Sequence, residues 1–173
     1  MTPIFLIGLP GAGKSTIGQA VARKLGIPFV DLDHEIESAA GKSISRIFAE
    51  DGEPRFRELE AEATTRLAVT PAIVAPGAGW TSNEAVRVLV PHAGPTIYLR
   101  VGVRTAARRL GAAAADRPLL AGDAVECLAR LLEARSRHYE SADAVVDTEL
   151  HPFDEVVKLT AELASALMQH RRE

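Results

Sequence analysis

The 173-residue sequence contains one cysteine, four lysines and few aromatic residues, and it has no long hydrophobic run. The single cysteine, Cys127, excludes an intramolecular disulfide, and its apolar, helix-like surroundings indicate a buried free thiol. No segment approaches the roughly 18 to 20 apolar residues of a membrane-spanning helix. The first hydrophobic run, Ile4–Ile7, is too short for a secretory signal and has no basic segment before it. We therefore expect a cytoplasmic protein with no membrane partner.

The scarcity of lysine leaves the basic charge to 16 arginines, and 23 acidic residues bring the formal net charge to −3. Proteins that bind nucleic acid through its phosphates usually have a clear basic excess on one face. The charge balance therefore predicts no nucleic-acid partner. Hydrophobic residues make up 47% of the chain, as in ordinary globular proteins, and the length favours a single domain over residues 1–173.

Short apolar runs alternate with helix-like segments along the whole chain. The runs lie at residues 3–7, 28–32, 72–75, 96–101 and 144–146. Between the first two, Ile17, Val21 and Leu25 recur at helical spacing within residues 15–25, and Gly26 follows as a stop signal. This alternation predicts an α/β fold of three layers, in which a central five-stranded parallel sheet lies between two layers of helices.

Two segments depart from this alternation. Residues 33–71 are longer than one connecting helix requires, and glycines at positions 41 and 52 divide them, so we expect an inserted helical subdomain that binds the substrate. Residues 111–122 contain four consecutive alanines and the sequence DRPLL between two glycines, which favours a mobile lid. A plain surface loop is the alternative interpretation of this second segment.

Residues 8–15, GLPGAGKS, match the phosphate-binding pattern G-x-x-x-x-G-K-[ST] between a predicted buried strand and a predicted helix. Glycines allow backbone N–H groups to approach phosphate oxygens, and the N-terminus of a helix favours negative charge. Lys14 would reach the β- and γ-phosphates, and the Ser15 hydroxyl would bind Mg²⁺. The motif therefore predicts ATP and Mg²⁺ as cofactors. The alternative is a glycine-rich turn that simply precedes a helix.

Three acidic residues, Asp31, Asp33 and Glu35, alternate at the predicted end of the second strand, where ligands of open α/β sheets collect. On a strand, the carboxylates of Asp31 and Asp33 would point to the same side. One could then serve the metal while the other accepts a proton from a hydroxyl group. The alternative is that Asp33 caps a helix. With water as the acceptor the protein would be a hydrolase or a switch, and with a small molecule it would be a kinase.

The segment 52–60, GEPRFRELE, places Arg57 and Glu60 on one face of a predicted helix. A guanidinium paired in this way beside Phe48 and Phe56 would suit a small ring that carries a carboxylate. The phenylalanines would form apolar walls, and the arginine would bind the carboxylate through two hydrogen bonds. The alternative is a surface ion pair over two core phenylalanines.

Taken together, these residues resemble the shikimate kinase family, small P-loop kinases that transfer the γ-phosphate of ATP to the 3-hydroxyl of shikimate in aromatic amino-acid biosynthesis. The resemblance covers essentially the whole chain. It is carried by the loop at 8–15, DLD at 31–33, GKSISRIF at 41–48, GEPRFRELE at 52–60, RPLL at 117–120 and ARSRHY at 134–139. It implies a P-loop fold like that of nucleoside-monophosphate kinases, with ATP and Mg²⁺ as cofactors and shikimate as the small-molecule partner. We expect a monomer.

The resemblance also implies roles for individual residues. Catalysis would depend on Lys14, Asp33 and Arg117. The nucleotide would be bound by Gly11, Ala12, Gly13, Lys14, Ser15, Thr16, Arg109, Arg117 and Pro152, and the metal by Ser15 and Asp31. Shikimate would contact Asp33, Phe48, Phe56, Arg57, Glu60, Gly77, Ala78 and Arg135. Within these sets, Arg57 and Arg135 would clamp the carboxylate, and Arg117 would descend with the lid onto the transferring phosphoryl group.

One stretch departs from the family, which has three consecutive glycines after the third strand. Here residues 75–80 read APGAGW. In the ungapped register Pro76 and Ala78 replace the first and third glycines, whereas a shift of one residue aligns Gly77, Ala78 and Gly79 with them. Pro76 lacks an N–H group, and Ala78 would strain a backbone with positive φ, so we expect an altered contact with the acceptor.

Two other functions stay open from the sequence. A related kinase for another hydroxy acid, such as gluconate, agrees with the altered glycine stretch, although Arg57, Glu60 and Arg135 disfavour it. A regulatory module that binds a nucleotide without catalysis is disfavoured by Lys14 and the acidic pair. The histidines show no metal-binding spacing, and Trp80 is interpreted as a core residue rather than a site residue.

Overall fold

The structure is a computed structural model that describes residues 2–111 and 123–170. Arg117, and the predicted lid apart from Gly111, lie outside the described residues. The described chain forms one parallel sheet of five strands in the order β2-β3-β1-β4-β5, which confirms the predicted sheet. The strands are β1 (Ile4–Ile7), β2 (Phe29–Asp31), β3 (Ile73–Ala75), β4 (Thr96–Arg100) and β5 (Ala144–Asp147).

Helices connect the strands and cover the sheet, giving the three-layer arrangement expected from the sequence. Within the described ranges, no helix is both long and apolar enough to cross a membrane. The helices are α1 (Lys14–Leu25), α2 (Leu32–Ala40), α3 (Ile44–Glu50), α4 (Gly52–Leu67), α5 (Glu84–Ala93), α6 (Val103–Leu110), α7 (Ala124–Glu140) and α8 (Phe153–His170), with a 3₁₀ helix at Trp80–Ser82.

Helix α1 follows the predicted phosphate-binding loop directly. Ile17 and Val21 recur at helical spacing and are buried, and Gly26 ends the helix in a left-handed conformation with φ of 66°. The helix begins at Lys14, one residue earlier than expected, because Gly13 with φ of 91° turns the chain into the helix. The sequence pattern therefore predicts this element almost to the residue.

The predicted insertion at 33–71 consists of three helices with short breaks. Gly41 ends α2 in a left-handed conformation with φ of 65°, and Ser43 begins α3 by accepting a hydrogen bond from the Arg46 N–H at 3.3 Å. Pro54 lies in the first turn of α4, where its missing N–H group costs little. The helical content of the insertion is confirmed, whereas its role as a substrate subdomain stays a prediction.

The strand order places the ends of β1 and β3 side by side, with Val74 paired to Phe5. After β1 the chain crosses to β2 at one edge, and after β3 it crosses to β4 on the other side of β1. Connections that diverge in this way open a crevice at the carboxyl ends of parallel strands, where such sheets bind ligands. Both the loop that begins at Gly8 and the loop that begins at Pro76 leave the sheet at this crevice.

Trp80 is buried in the core, as predicted. Its side chain is 1% exposed and stacks on Phe5 of β1, with ring centroids 4.8 Å apart. Its indole N–H donates to Thr64 Oγ1 of α4 at 2.9 Å. Cys127 differs from the prediction, because it packs at the margin of the core on α7 and is half-buried rather than buried.

Candidate active site

The loop between β1 and α1 is shaped by glycines. Gly8, Gly11 and Gly13 have positive φ angles of 147°, 82° and 91°. A Cβ atom at Gly11 would lie 2.4 Å from the Ala106 carbonyl oxygen, so that position has no room for a side chain. The loop leads directly into the N-terminus of α1, where backbone N–H groups and the helix dipole favour an anion. This geometry agrees with the predicted phosphate site.

The Lys14 side chain folds back over the loop that precedes it. Its Nζ atom donates to the carbonyl oxygens of Gly8 at 2.9 Å and Leu9 at 3.1 Å. The protein thus holds the ammonium group beside the cavity that Lys14 also lines. Phosphate oxygens would join or replace these carbonyl acceptors when a nucleotide binds.

A cavity of about 640 Å³ lies at the carboxyl ends of β1, β2 and β3, within the size range of small-molecule sites. The predicted site residues that line it are Gly11, Ala12, Gly13, Lys14, Ser15, Thr16, Asp31, Asp33, Gly77, Ala78 and Arg109. The sequence did not identify Leu110, Thr148, His151, Phe153 and Val156, which also line it. The carboxyl end of the fifth strand was the signal that could have pointed to Thr148.

One end of the cavity is formed by α6 and the segment after β5. Arg109 donates to the side-chain oxygen and the carbonyl oxygen of Thr148, both at 2.8 Å, so its guanidinium is fixed against that segment. Pro152 is exposed and does not line the cavity, but its neighbours His151 and Phe153 do. The nucleotide contact of Pro152 stays a prediction.

Asp31 and Asp33 both line the cavity, but not as two residues of one strand. β2 ends at Asp31, and Asp33 lies in the first turn of α2. Asp31 Oδ1 accepts hydrogen bonds from the N–H groups of Asp33 at 3.1 Å and His34 at 3.3 Å. The expected strand geometry is wrong because Asp31, and not Asp33, caps the helix and turns the chain. Glu35 is exposed on α2 and lies outside the cavity lining.

The Asp33 carboxyl group is largely buried, near other charged groups and close to the Gly77 backbone. Burial raises its pKa to about 6, the charges of Asp31 and Glu60 act in the same direction, and Lys14 opposes them. A Cβ atom on Gly77 would lie 2.7 Å from Asp33 Oδ1. That oxygen is buried and has no hydrogen-bond partner within the described part of the chain. A buried acceptor of this kind is suited to the hydroxyl group of a ligand.

Arg57 and Glu60 form an ion pair on α4 that is largely removed from water. Arg57 Nη1 donates to Glu60 Oε2 at 2.7 Å, and Glu60 is 1% exposed. Arg57 Nε and Nη2 donate to Glu53 Oε1 at 3.1 and 2.8 Å. Burial raises the pKa of Glu60, although the hydrogen bond and charge of Arg57 oppose the shift. The alternative of a surface ion pair is therefore wrong.

Phe48 and Phe56 pack on each other beside this ion pair, with ring centroids 4.8 Å apart and a tilt of 38°. Arg57 Cζ lies 5.4 Å from the centroid of the Phe56 ring, close enough for a cation–π contact. Phe56 is 6% exposed and Phe48 is 40% exposed, so only one of them belongs to the core. Neither ring lines the 640 Å³ cavity, and their contact with a substrate stays a prediction.

The loop after β3 lies against both halves of the site. A Cβ atom on Gly79 would lie 2.6 Å from Arg57 Nη1 and 2.8 Å from Nη2, just as one on Gly77 would meet Asp33. These close approaches leave no room for a side chain at position 77 or 79. The expected strain at Ala78 is wrong, because no described residue other than glycine has a positive φ.

Arg135 is a buried arginine on α7, with 8% of its surface exposed. Its Nη1 atom, the Tyr139 hydroxyl and Thr81 Oγ1 are buried without a hydrogen-bond partner in the described ranges. Burial raises the pKa of Tyr139 against opposing contributions from Arg135 and Thr81, which places the three groups near one another. Thr81 and Tyr139 also line a narrow space with Gly77 and Ala78. A ligand carboxylate would supply an acceptor for Arg135 Nη1.

Ser15 and Asp31 present oxygen atoms to the same cavity. Hydroxyl and carboxylate oxygens suit Mg²⁺, which usually takes its other ligands from phosphates and water. The described residues contain no group of three or more His, Cys, Asp or Glu side chains that could hold a metal by itself. The donor set therefore fits a metal that binds together with a nucleotide.

The chain combines a phosphate-binding loop at residues 8–15, the P-loop, with a parallel sheet of this strand order. Within the described residues, a carboxylate oxygen without a partner and a buried ion pair lie in the same site. Together these features define a P-loop kinase that phosphorylates a small molecule. A model of the shikimate kinase family matches residues 10–164. The chain belongs to the shikimate kinase family, whose members use ATP, and it is a phosphotransferase with an alcohol acceptor.

Individual relatives agree with this assignment. The shikimate kinase of Thermobifida fusca is 45% identical over 159 residues, covering 90% of this chain and 91% of the relative. That of Chlorobaculum parvum is 42% identical over 156 residues, covering 84% and 83%. The structure of shikimate kinase from Acinetobacter baumannii in complex with shikimate has a TM-score of 0.84 at 31% identity, over 96% of this chain and 94% of that one. A gluconokinase from Sinorhizobium meliloti, with a TM-score of 0.59 at 19% identity over 99% and 95%, shares the fold alone.

Proposed function

We propose that the protein transfers the γ-phosphoryl group of ATP to the 3-hydroxyl group of shikimate, giving shikimate 3-phosphate and ADP on the route to chorismate and the aromatic amino acids. The relatives named above, including the Acinetobacter enzyme in complex with shikimate, support this acceptor. The pathway and the lack of a membrane-spanning helix among the described residues are compatible with action in the cytoplasm. We further propose that the protein acts as a monomer.

The observation that carries the acceptor assignment is the number of Arg57 N–H donors that the described residues leave unused. A guanidinium has five N–H donors, and among the described residues three of them are engaged by Glu53 and Glu60. The remaining two belong one to each Nη atom and would form a fork for a ligand; a Cβ atom on Gly79 would lie 2.6 and 2.8 Å from these two nitrogens. A planar carboxylate fits such a fork, and Arg135 Nη1 would supply a further donor.

The nucleotide would occupy the cavity along the P-loop. Residues 11–16 would surround its phosphates, with Lys14 pairing their charge, and Arg109 would border the base at the far end. Mg²⁺, held by Ser15 and Asp31, would neutralise part of the charge on the phosphates during transfer. The loop itself supplies the positioning, since phosphoryl transfer needs alignment and cations more than covalent chemistry.

Asp33 would hold the acceptor hydroxyl group and take up its proton. Its Oδ1 atom has no partner among the described residues, and a pKa of about 6 leaves it mostly ionised at neutral pH. Gly77 lies against this carboxylate and Gly79 against the Arg57 guanidinium, so one short loop would set the distance between the reacting end and the carboxylate end of the acceptor. Arg117 would reach the transferring phosphoryl group; this role stays a prediction.

The overall proposal is tested by measuring ADP formation from Mg²⁺-ATP with shikimate, quinate, gluconate and nucleoside monophosphates. We expect turnover of shikimate, with kcat/KM at least about 100-fold above that for gluconate, which lacks the ring. Turnover of gluconate without turnover of shikimate would contradict the acceptor assignment. If none of the compounds is phosphorylated, the regulatory module becomes the better interpretation.

Gly79→Ala should raise the KM for shikimate about 10- to 100-fold with little change in the KM for ATP. The new methyl group would lie within 2.8 Å of both Arg57 Nη atoms and would force the guanidinium away from its fork position. Steady-state kinetics with each substrate varied in turn measures the effect. Ser82→Ala is the matched control, and it should behave like the parent because Ser82 lies in the same stretch, is exposed and does not line the cavity. An unaltered KM in Gly79→Ala would place the acceptor elsewhere.

A further inference from the structure

Asn83 ends the loop after β3 and makes side-chain hydrogen bonds in two directions. Its Oδ1 atom accepts from the Ala85 N–H at 3.1 Å, which caps the N-terminus of α5. Its Nδ2 atom donates to the Arg57 carbonyl oxygen at 2.8 Å and to Glu60 Oε2 at 3.1 Å. Asn83 is 5% exposed, and its bond to Glu60 is buried while the other two are partly buried.

The two Nδ2 bonds converge on the ion pair that would bind the acceptor. Glu60 Oε2 accepts from both Asn83 and Arg57, while Glu60 Oε1 is buried without a partner within the described ranges. The rotation of this carboxyl group is therefore set by a single oxygen that two donors share. The bond to the Arg57 carbonyl oxygen fixes the backbone from which the guanidinium extends.

Capping alone does not require an amide at this position. Serine or aspartate would accept the Ala85 N–H about as well as asparagine does. The donor half of the Asn83 amide is thus in excess of what α5 needs, and both of its bonds go to α4. Another hydrogen bond joins the same loop to α4 further along the helix, where Trp80 Nε1 donates to Thr64 Oγ1 at 2.9 Å.

We propose that Asn83 is a positioning residue for the acceptor: its amide holds the Arg57 guanidinium and the Glu60 carboxylate in the orientation that receives a ligand carboxylate. This inference rests on the proposed function of Arg57 and extends it to a residue on a different element. It explains how a guanidinium on α4 keeps its place over Gly79, which belongs to the loop that Asn83 ends.

The decisive variant is Asn83→Ser, which keeps a capping oxygen for α5 and removes both donor bonds to α4. We expect the KM for shikimate to rise about 10-fold, while kcat and the KM for ATP stay within about twofold of the parent values. Thermal unfolding followed by circular dichroism should show only a small change. An unchanged KM for shikimate, or an equal rise in both KM values, overturns the proposal.

The route through Glu60 is tested by a double-mutant cycle with Glu60→Gln. If Asn83 acts by orienting this carboxylate, the two substitutions together should raise the KM for shikimate by clearly less than the product of their single effects. Fully multiplicative effects overturn the route. If the contribution of Asn83 were purely structural, the KM for shikimate would rise as the melting temperature falls. For a positioning residue we expect a different result: Asn83→Ala, which also loses the cap, should be less stable than Asn83→Ser but should have a similar KM for shikimate.

Failure of the proposed function is distinguishable from failure of this inference. If the parent protein does not phosphorylate shikimate, crystal structures of the parent and of Asn83→Ser decide the matter without turnover. The inference then requires the Arg57 guanidinium to leave its position beside Gly79 in the variant. An identical guanidinium position in both structures overturns it.

Discussion

Asp33→Asn should lower kcat for shikimate phosphorylation about 100- to 10,000-fold, the range associated with loss of a positioned general base. Asparagine keeps the shape of the side chain and its contact with Gly77, but it cannot accept the hydroxyl proton. The KM for ATP should change little, because we propose that residues 11–16, which line the cavity, hold the nucleotide. Coupled ADP detection with varied shikimate measures both quantities.

The fold of this variant should be intact. Burial raises the pKa of Asp33, so the folded protein disfavours the charged form there, and a neutral amide should not lower the melting temperature. Glu35→Gln is the matched control, since Glu35 lies on the same helix, is exposed and does not line the cavity. Retention of more than about a tenth of the parental kcat in Asp33→Asn would remove Asp33 from the catalytic role.

Arg57→Ala should raise the KM for shikimate about 100-fold while the affinity for ATP persists. The variant loses the fork of two N–H groups that would bind the carboxylate, and charge-assisted hydrogen bonds of this kind are the strong ones in proteins. Isothermal titration with a non-hydrolysable ATP analogue checks nucleotide binding, and steady-state kinetics gives the KM for shikimate. Loss of affinity for both ligands together would indicate a disturbed fold instead.

Two further variants separate binding from stability. Arg55→Ala is the matched control on the same helix, because Arg55 is exposed, pairs with the exposed residues Glu58 and Glu62 and does not line the cavity. Arg57→Ala also leaves Glu60 buried without its cation, which should lower the melting temperature. Adding Glu60→Gln removes that isolated charge, so the double variant should regain stability without regaining affinity for shikimate.

Much of the fold can be predicted from the sequence because its signals are local. Buried parallel strands appear as short apolar runs, and α1 appears as Ile17 and Val21 at helical spacing before Gly26. The phosphate-binding loop is a contiguous motif, and its three glycines adopt positive φ. The sequence at 8–15 therefore indicates the conformation of the loop. The sequence signals of these elements are therefore contained within short segments.

The details of the site are less predictable because they depend on which side chain forms a hydrogen bond with which backbone group. Asp31 and Asp33 could both be read as strand residues, and the outcome was decided by Asp31 accepting two N–H groups of α2. The residues after β5 that line the cavity were equally hidden, because His151 and Phe153 line it while the exposed Pro152 between them does not. Tertiary contacts overrule the local pattern at these positions.

Asn83 shows a different limit. A residue of its type before the helical segment 84–93 is recognisable as a helix cap, and that part of its role could have been read from the sequence. Its bonds to Arg57 and Glu60 join positions 26 and 23 residues apart, for which a single sequence carries no signal. Hydrogen bonds between a polar side chain and a distant element can be identified only from the three-dimensional structure.

The two halves of the site differ in how far along the chain they are gathered. The phosphate half is one continuous turn between β1 and α1, whereas the acceptor half joins α2, α4, the loop after β3 and α7. We expect affinity for phosphate to depend on fewer long-range contacts than affinity for the acceptor, which needs all of these elements in place together. Discrimination among acceptors therefore reports the integrity of the whole domain, and it should be the first capacity lost when the domain loosens.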